Sequence, residues 1–557
     1  MLLPRQEMPR TSRRRWRRTR YGRHSLRKPL VLAGGISLFI AHLCVIGWAT
    51  APRPEARVPK SPDHATVSRA WDAAAARGNS TVVASYHGDA ARSGHYTIPG
   101  LTWQRAAGAH RDQAFDGRVQ GQINAQPLYW RAMKSAHGLV VVATEADIVF
   151  ALDAATGRPV WRRVLGLPVA KSLLPCGNID PVGITGTPVI DPQSLSLYVN
   201  ALVDDDGVPH HRVFGLRISD GTVLPGWPLE LETALKAQGI AFSSRLQNQR
   251  GALALSDGHL YIPFGGNFGD CGKYHGAVVG IDLTPPRIFG AWLTRARKAG
   301  IWAPGGIASD GQSLFVTTGN AAEGQEWGDQ EAVIRVPRDL HHSADPRDFF
   351  APSNWRELDE RKKELGGSNP IPIDLPTPQG PTRLLLALGK DGNAYLLDRD
   401  NLGGIGRALL IQRVAKSAIR TAPAAYPVQA AMFVAFQAPA ASCPGPGTAS
   451  VAALAITAGP PPRMATTWCA SLNAIQPVPI VTTTNGSADP IVWVVGASGD
   501  ERLHGFRGDT GQPVFAGGNA ADRMNGLQHF AAILAAEDAL YIGGAGRLYA
   551  FRFSPEH

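Results

Sequence analysis

The residues with the greatest chemical capacity lie in short polar stretches rather than in one signature. His275 and Asp270 sit in GDCGKYHG, where an imidazole and a carboxylate could act as a base and its orienting partner. Arg250, in NQR, offers a planar guanidinium fork for bidentate capture of an anionic ligand. Lys390, Asp391, Asn393, Asp398 and Arg399 crowd one hairpin, and His87, Asp89 and Arg92 open the folded body. Each group has a plainer reading, because strand ends and sheet junctions need buried polar residues to satisfy their hydrogen bonds. KDG at 390–392 in particular reads as a hairpin turn. The pairs His210-His211 and His341-His342 would point to opposite faces of a strand, which argues against a shared metal. No CxxC marks a structural zinc site, no CxxCH marks a haem, and no nucleophile-elbow, Walker or Rossmann pattern stands out.

The elements that must position these residues form a repeat. The clearest copy is Leu139 to Trp161, LVVVATEADIVFALDAATGRPVW, which carries A-x-D-x-x-x-G-x-x-x-W as Ala151, Asp153, Gly157 and Trp161. Short β-runs such as Ile148, Phe150 and Leu152 can bury one face. Asp153 can accept backbone N–H groups in the turn, Gly157 can take a positive φ, and Trp161 can cover the neighbouring sheet. The register returns near the C-terminus with Gly505, Arg507, Gly511 and Phe515 in the four slots, and in looser form at Gly215–Trp227, Gly280–Trp292 and Ala394–Gly404.

Strand groups begin near Ala125, Gly186, Arg250, Ala303, Arg383, Ala422, Ile480 and His529. This predicts an all-β propeller of about eight four-stranded antiparallel blades, with seven as the alternative. The last group supplies about three strands, and Thr81–Tyr86 is expected to complete it. Residues 337–381, with a helix predicted over Asn354–Leu365, read as an insertion, more a surface loop than a lid.

Of the 557 residues, 44% are hydrophobic and 18% charged, which suits a packed body. The net charge of +11 comes almost wholly from residues 1–28, which hold eleven Lys/Arg and one acid, Glu7. The body is nearly neutral, so no nucleic-acid partner is expected. The basic tail leads into an apolar run, Leu30 to Ala51, long enough at 22 residues to span a bilayer. The expected layout is a cytoplasmic tail (1–28), a transmembrane signal anchor (29–51), a linker (52–80) and an extracytoplasmic body (81–557). The membrane partner would be reached through that single helix. A cleaved signal peptide ending at Ala49-Thr50-Ala51 is an alternative that Pro52 disfavours, and a lipid anchor on Cys44 lacks the small residues it needs.

Outside the apolar run four cysteines remain, an even number that fits an oxidising compartment. We pair Cys176 with Cys271 and Cys443 with Cys469; three pairings, or four free thiols, are open.

The repeat, together with HGDAARSG, NAQPLY, GITGTPVIDP, LQNQRGAL, VTTGN and GKDGNAYLLDRDNLG, resembles the tryptophan-docked propeller of quinoprotein alcohol dehydrogenases, over about 81–554. The resemblance implies the propeller and an extracytoplasmic place. It implies polar residues at the channel mouth, among which Gln249, Trp302 and Asn320 are candidates. Those enzymes hold pyrroloquinoline quinone (PQQ) under two adjacent cysteines beside Ca²⁺ on a Glu, an Asn and an Asp. This chain has no Cys-Cys pair, and the Ca²⁺ set does not map onto it. A binding or scaffold role with a protein partner on one propeller face is therefore the leading expectation, with no cofactor and no metal. A quinone-dependent oxidoreductase with PQQ and Ca²⁺ is the alternative.

Overall fold

Runs of β-branched and aromatic residues fold into short strands, and Gly- and Asp-rich turns return each strand to the next. The computed structural model describes residues 82–132, 138–321, 326–439, 441, 443 and 449–554. The basic tail, the apolar run and the tether lie outside the described residues. Among the described residues no helix is long and apolar enough to cross a membrane.

Eight sheets follow one another along the chain, which decides the blade number in favour of eight over seven. Blade 1 consists of Leu128–Trp130, Leu139–Ala143, Ile148–Asp153 and Pro159–Val164. The later blades run over 189–230, 247–293, 308–351, 371–413, 424–470, 480–516 and 533–552. Most strand pairs are antiparallel. Two are parallel: His95–Thr97 beside Ile480–Thr483, and Phe349–Ala351 beside Gly404–Ile405.

The blades interlock through the predicted residues. Asp153 accepts the N–H groups of Ala155 and Thr156 at the end of its strand, and Gly157 turns with φ 71°. Trp161 donates from Nε1 to Ile218 O at 3.0 Å on blade 2, and its ring lies against Gly221, where a Cβ would come within 2.5 Å of it. Trp468 of blade 6 repeats this on blade 7, bonding Gly508 O at 2.7 Å over Gly511. Ala151 is fully buried, and Phe515 is buried with its ring edge-on to Phe551 of blade 8. Tyr541 of blade 8 reaches Ala154 O of blade 1 at 2.8 Å and closes the wheel.

Two expectations are corrected. Val82–Val83 pairs with Leu128–Trp130 and so joins blade 1, not blade 8. The last blade is completed instead by His110–Arg111 and Arg118–Gln122, paired with Ala539–Arg552. An alternating run shows that a strand exists but not which sheet edge it meets. The stretch 337–381 is also not one insertion. Phe349–Ala351 belongs to blade 4 and Ile371–Leu375 to blade 5. Between them the helix covers only Trp355–Arg361, because Lys362 turns left-handed at φ 52° and ends it.

Both disulfides form as paired from the sequence. Cys176–Cys271 has a Cα–Cα distance of 6.1 Å and Cys443–Cys469 one of 5.8 Å.

Candidate functional site

In an up-and-down blade the connections alternate between the two ends of the sheet. The hairpins between second and third strands, and the links from one blade to the next, therefore share one face. Gln249, Arg250, Asp270, His275, Trp302 and Asn320 all lie on such hairpins or links. A cavity of about 330 Å³ between Asp345, Arg347, Asp398, Asn401 and Arg407 lies among the connections of the other face, away from them.

The axis of the wheel is filled by the chain itself. Residues 82–97 cross it and bond the first strand of one blade after another. Ile190 N donates to Ala84 O, Ser309 N to Ala90 O, Ala425 N to Ser93 O and Val481 N to Gly94 O, at 2.7 to 2.8 Å. Arg92, 1% exposed, donates to Ile307 O, Tyr86 O and Leu253 O. Its charge and the surrounding burial push the His87 imidazole down to about 3, so that ring is neutral; burial is the larger cause. Tyr86 packs against Ala252, Ala422, Val478 and Ala532, the residues that enter blades 3, 6, 7 and 8. The channel expected to hold a ligand is thus closed at Tyr86, and only its mouth on the loop face is left.

Two polar groups line that face. The first surrounds the mouth. Arg250 is half-buried, with its guanidinium over the Phe530 ring at 5.5 Å. Among the described residues it has neither a hydrogen bond nor an ion pair. Phe530 holds an unusual φ of 67°. The Tyr86 hydroxyl at the floor is buried without a partner, and so is Gln249 Oε1, whose amide nitrogen donates to Gly251 O. Glu145 is nearby but occupied. It accepts from Asn124 Nδ2 at 2.6 Å, Gly183 N at 2.8 Å and Thr185 Oγ1 at 3.1 Å. Burial raises the Glu145 carboxyl, and burial with the Glu145 charge raises Asp147 well above the usual range. Burial lowers Arg250, and burial with the Arg250 charge lowers His529.

The second group spans blades 3 to 5. The Lys390 ammonium lies 4.6 Å from the Trp302 ring centre and is ion-paired with Glu364. Glu331 is fully buried at φ 55°, and neither of its carboxyl oxygens has a partner. Burial, with the charges of Glu364 and Asp359, holds it well above the usual carboxyl range. Burial likewise pushes Asp359 up to about 6. Tyr395 bonds Asp391, and Gly319 packs beside the Trp302 indole. Asn320, next in the chain, accepts Ala299 N at 2.9 Å through its backbone oxygen.

The suggested pair of His275 and Asp270 is not formed. The His275 ring bonds Thr294 O at 2.6 Å, and Asp270 accepts from the Tyr274 hydroxyl at 2.7 Å. Arg250 and Gln249 are consecutive but turn to different partners, and Trp302 meets Lys390, with Asn320 one residue beyond the Gly319 that flanks the indole. The sequence reading missed Tyr86, Glu145, Glu331, Glu364, His529 and Phe530. The one available signal was an acid beside an apolar strand, after it in VVVATE and before it in QEAV.

The described residues share the propeller fold of quinohemoprotein alcohol and methanol dehydrogenases. The quinohemoprotein alcohol dehydrogenase ADHIIG from Pseudomonas putida HK5 superposes with a TM-score of 0.59 at 13% identity, covering 90% of this chain and 84% of that one. The quinohemoprotein alcohol dehydrogenase from Comamonas testosteroni gives 0.56 at 14%, covering 89% and 85%. A europium-containing methanol dehydrogenase gives 0.56 at 12%, covering 85% and 99%. At these identities the likeness establishes the fold alone. No protein-family model matches the chain, and no curated protein matches its sequence.

The residues present do not fit the quinone set that this fold brings to mind. Adjacent cysteines are absent from the sequence. The bridge on this face, Cys176–Cys271, joins residues 95 apart. Lys390 already covers the Trp302 ring.

Proposed function

We propose that this chain is a membrane-anchored, extracytoplasmic propeller that binds a ligand or a protein partner on its loop-bearing face, without catalysis. One observation carries the reading: residues 82–97 occupy the axis, so the wheel is a solid hub with a shallow polar mouth. Two disulfides suit an oxidising compartment. The basic tail and the apolar run from Leu30 to Ala51 supply the anchor and its orientation.

The test is a titration of the purified protein with PQQ and Ca²⁺, followed by absorbance and by dye-linked oxidation of alcohols and sugars. Neither saturable binding nor turnover is expected. Stoichiometric binding with turnover would overturn the reading. Carbonate extraction of membranes, with protease added from outside the cell, tests the anchor. The protein should stay with the membrane, and its body should be cut from the outside.

A second reading, a quinone-dependent oxidoreductase with an atypical site, draws on one cluster. Glu364 keeps one oxygen unpaired beside Lys390 and the flat Trp302 ring, which is what a base beside a stacked substrate would need.

A further inference from the structure

Buried donors are rarely left without acceptors, and an exception needs a cause. One such donor, the Tyr86 hydroxyl, meets a half-buried cation at the mouth of the axis. The Arg250 guanidinium has no acceptor among the described residues, and the Tyr86 hydroxyl beneath it is buried and unpartnered. The two sense each other electrostatically. The nearest acid cannot serve both, because Glu145 already accepts three hydrogen bonds from Asn124, Gly183 and Thr185. Gln249 Oε1 is an unpaired acceptor in the same group but carries no charge, so what Arg250 lacks is an anionic partner.

The chain has built a setting for one. Arg250 stands two residues before Ala252, and Phe530 two residues before Ala532; both alanines share one buried cluster with Tyr86. The links into blades 3 and 8 therefore bring Arg250 and Phe530 together directly over the floor. Phe530 accepts a left-handed backbone and places its ring under the guanidinium. The exposed His529 stands at the rim beside Arg250.

We propose that Arg250 and Tyr86, with His529 at the rim, form a binding site for a small monocarboxylate. The guanidinium takes both carboxylate oxygens, and the tyrosine hydroxyl donates to one of them. Charge decides between a carboxylate and a phosphate. The mouth offers one cation and already holds the Glu145 carboxyl, so a second negative charge would be repelled. The proposal rests on the loop face being a binding face, but not on whether the protein turns over a substrate.

The test uses the full-length protein in detergent, with benzoate, acetate and inorganic phosphate as probes in calorimetry and saturation-transfer NMR. Benzoate should bind with a dissociation constant below about 10 mM, and phosphate more weakly. Arg250→Gln should weaken benzoate about 10- to 100-fold and Tyr86→Phe about 3- to 10-fold. Glu145→Gln, which removes a competing charge, should tighten it. Arg250→Lys keeps the charge and loses the fork, so it should fall between wild type and Arg250→Gln, and it stands in if the glutamine variant does not fold. No benzoate binding below about 10 mM, or equal binding by wild type and the Arg250 variants, overturns the proposal. Phosphate binding more tightly than benzoate also overturns it. None of these results bears on the PQQ titration, so the two ideas fail separately.

Discussion

The two polar groups on the loop face are built with opposite imbalances. At the mouth a cation, Arg250, stands without an ion-pair partner beside the unpartnered hydroxyl of Tyr86. Between blades 3 and 5, around Glu331, Glu364 and Lys390, acceptors outnumber donors. The second group has met part of its need internally, since Lys390 covers Trp302 and pairs with Glu364, while Glu331 and one Glu364 oxygen stay without partners. The first group has not. A site that carries its own counter-ion is part of the structure, whereas one that lacks it is prepared for something from outside. Unpaired groups inform about function only once their neighbours have been counted.

The largest expected effect follows from that contrast. Lys390→Met should cost about 3–5 kcal/mol in urea unfolding, because it strands Glu364 beside Glu331. Arg250→Gln should cost less than about 1 kcal/mol, because no hydrogen bond is lost. Equal costs would erase the distinction between the two regions.

The next effect is on pH dependence. A carboxyl raised in the folded state favours folding below its unfolded value, and that contribution is lost as pH climbs through the folded value. For Asp359 the window runs from 3.8 to about 6; for Glu331 it begins at 4.5 and extends well above it. Wild type should therefore lose stability across this range. Asp359→Asn should remove the lower part of the loss and Glu331→Gln the upper part, read as unfolding midpoints at pH 4, 6 and 8. Arg250→Gln should leave the Asp359 and Glu331 parts of the profile in place.

The smallest effect compares two buried phenols. Tyr395→Phe breaks a bond to Asp391 and should destabilise by about 1 kcal/mol. Tyr86→Phe breaks none and should be neutral or slightly stabilising in the ligand-free protein. A matching loss in both would mean that the Tyr86 hydroxyl has an acceptor.

Much of the wheel could be read from the chain, because the features that build it are local. Ala151, Asp153, Gly157 and Trp161 lie within eleven positions and encode a turn and a docking surface together. The blade starts were legible for the same reason, except at blade 5. There Ile371–Leu375 lies inside a Pro-rich stretch and reads as a loop. The N-terminal strands were misassigned because Val82–Val83, His95–Thr97 and His110–Arg111 go to three different sheets, and short runs do not name distant partners. The site was legible only in part. Arg250 and Trp302 have distinctive chemistry, but Glu145 and Glu331 matter because of burial, which follows from where eight separate loops converge.

The strand His95–Thr97 carries one more consequence, concerning the order of events in the cell. It is among the first parts of the body to be synthesised, yet its partner Ile480–Thr483 comes nearly four hundred residues later. The hub thus waits for the rim. Until the seventh blade is made that axial strand has no partner there, and its unpaired edge stays open to other chains.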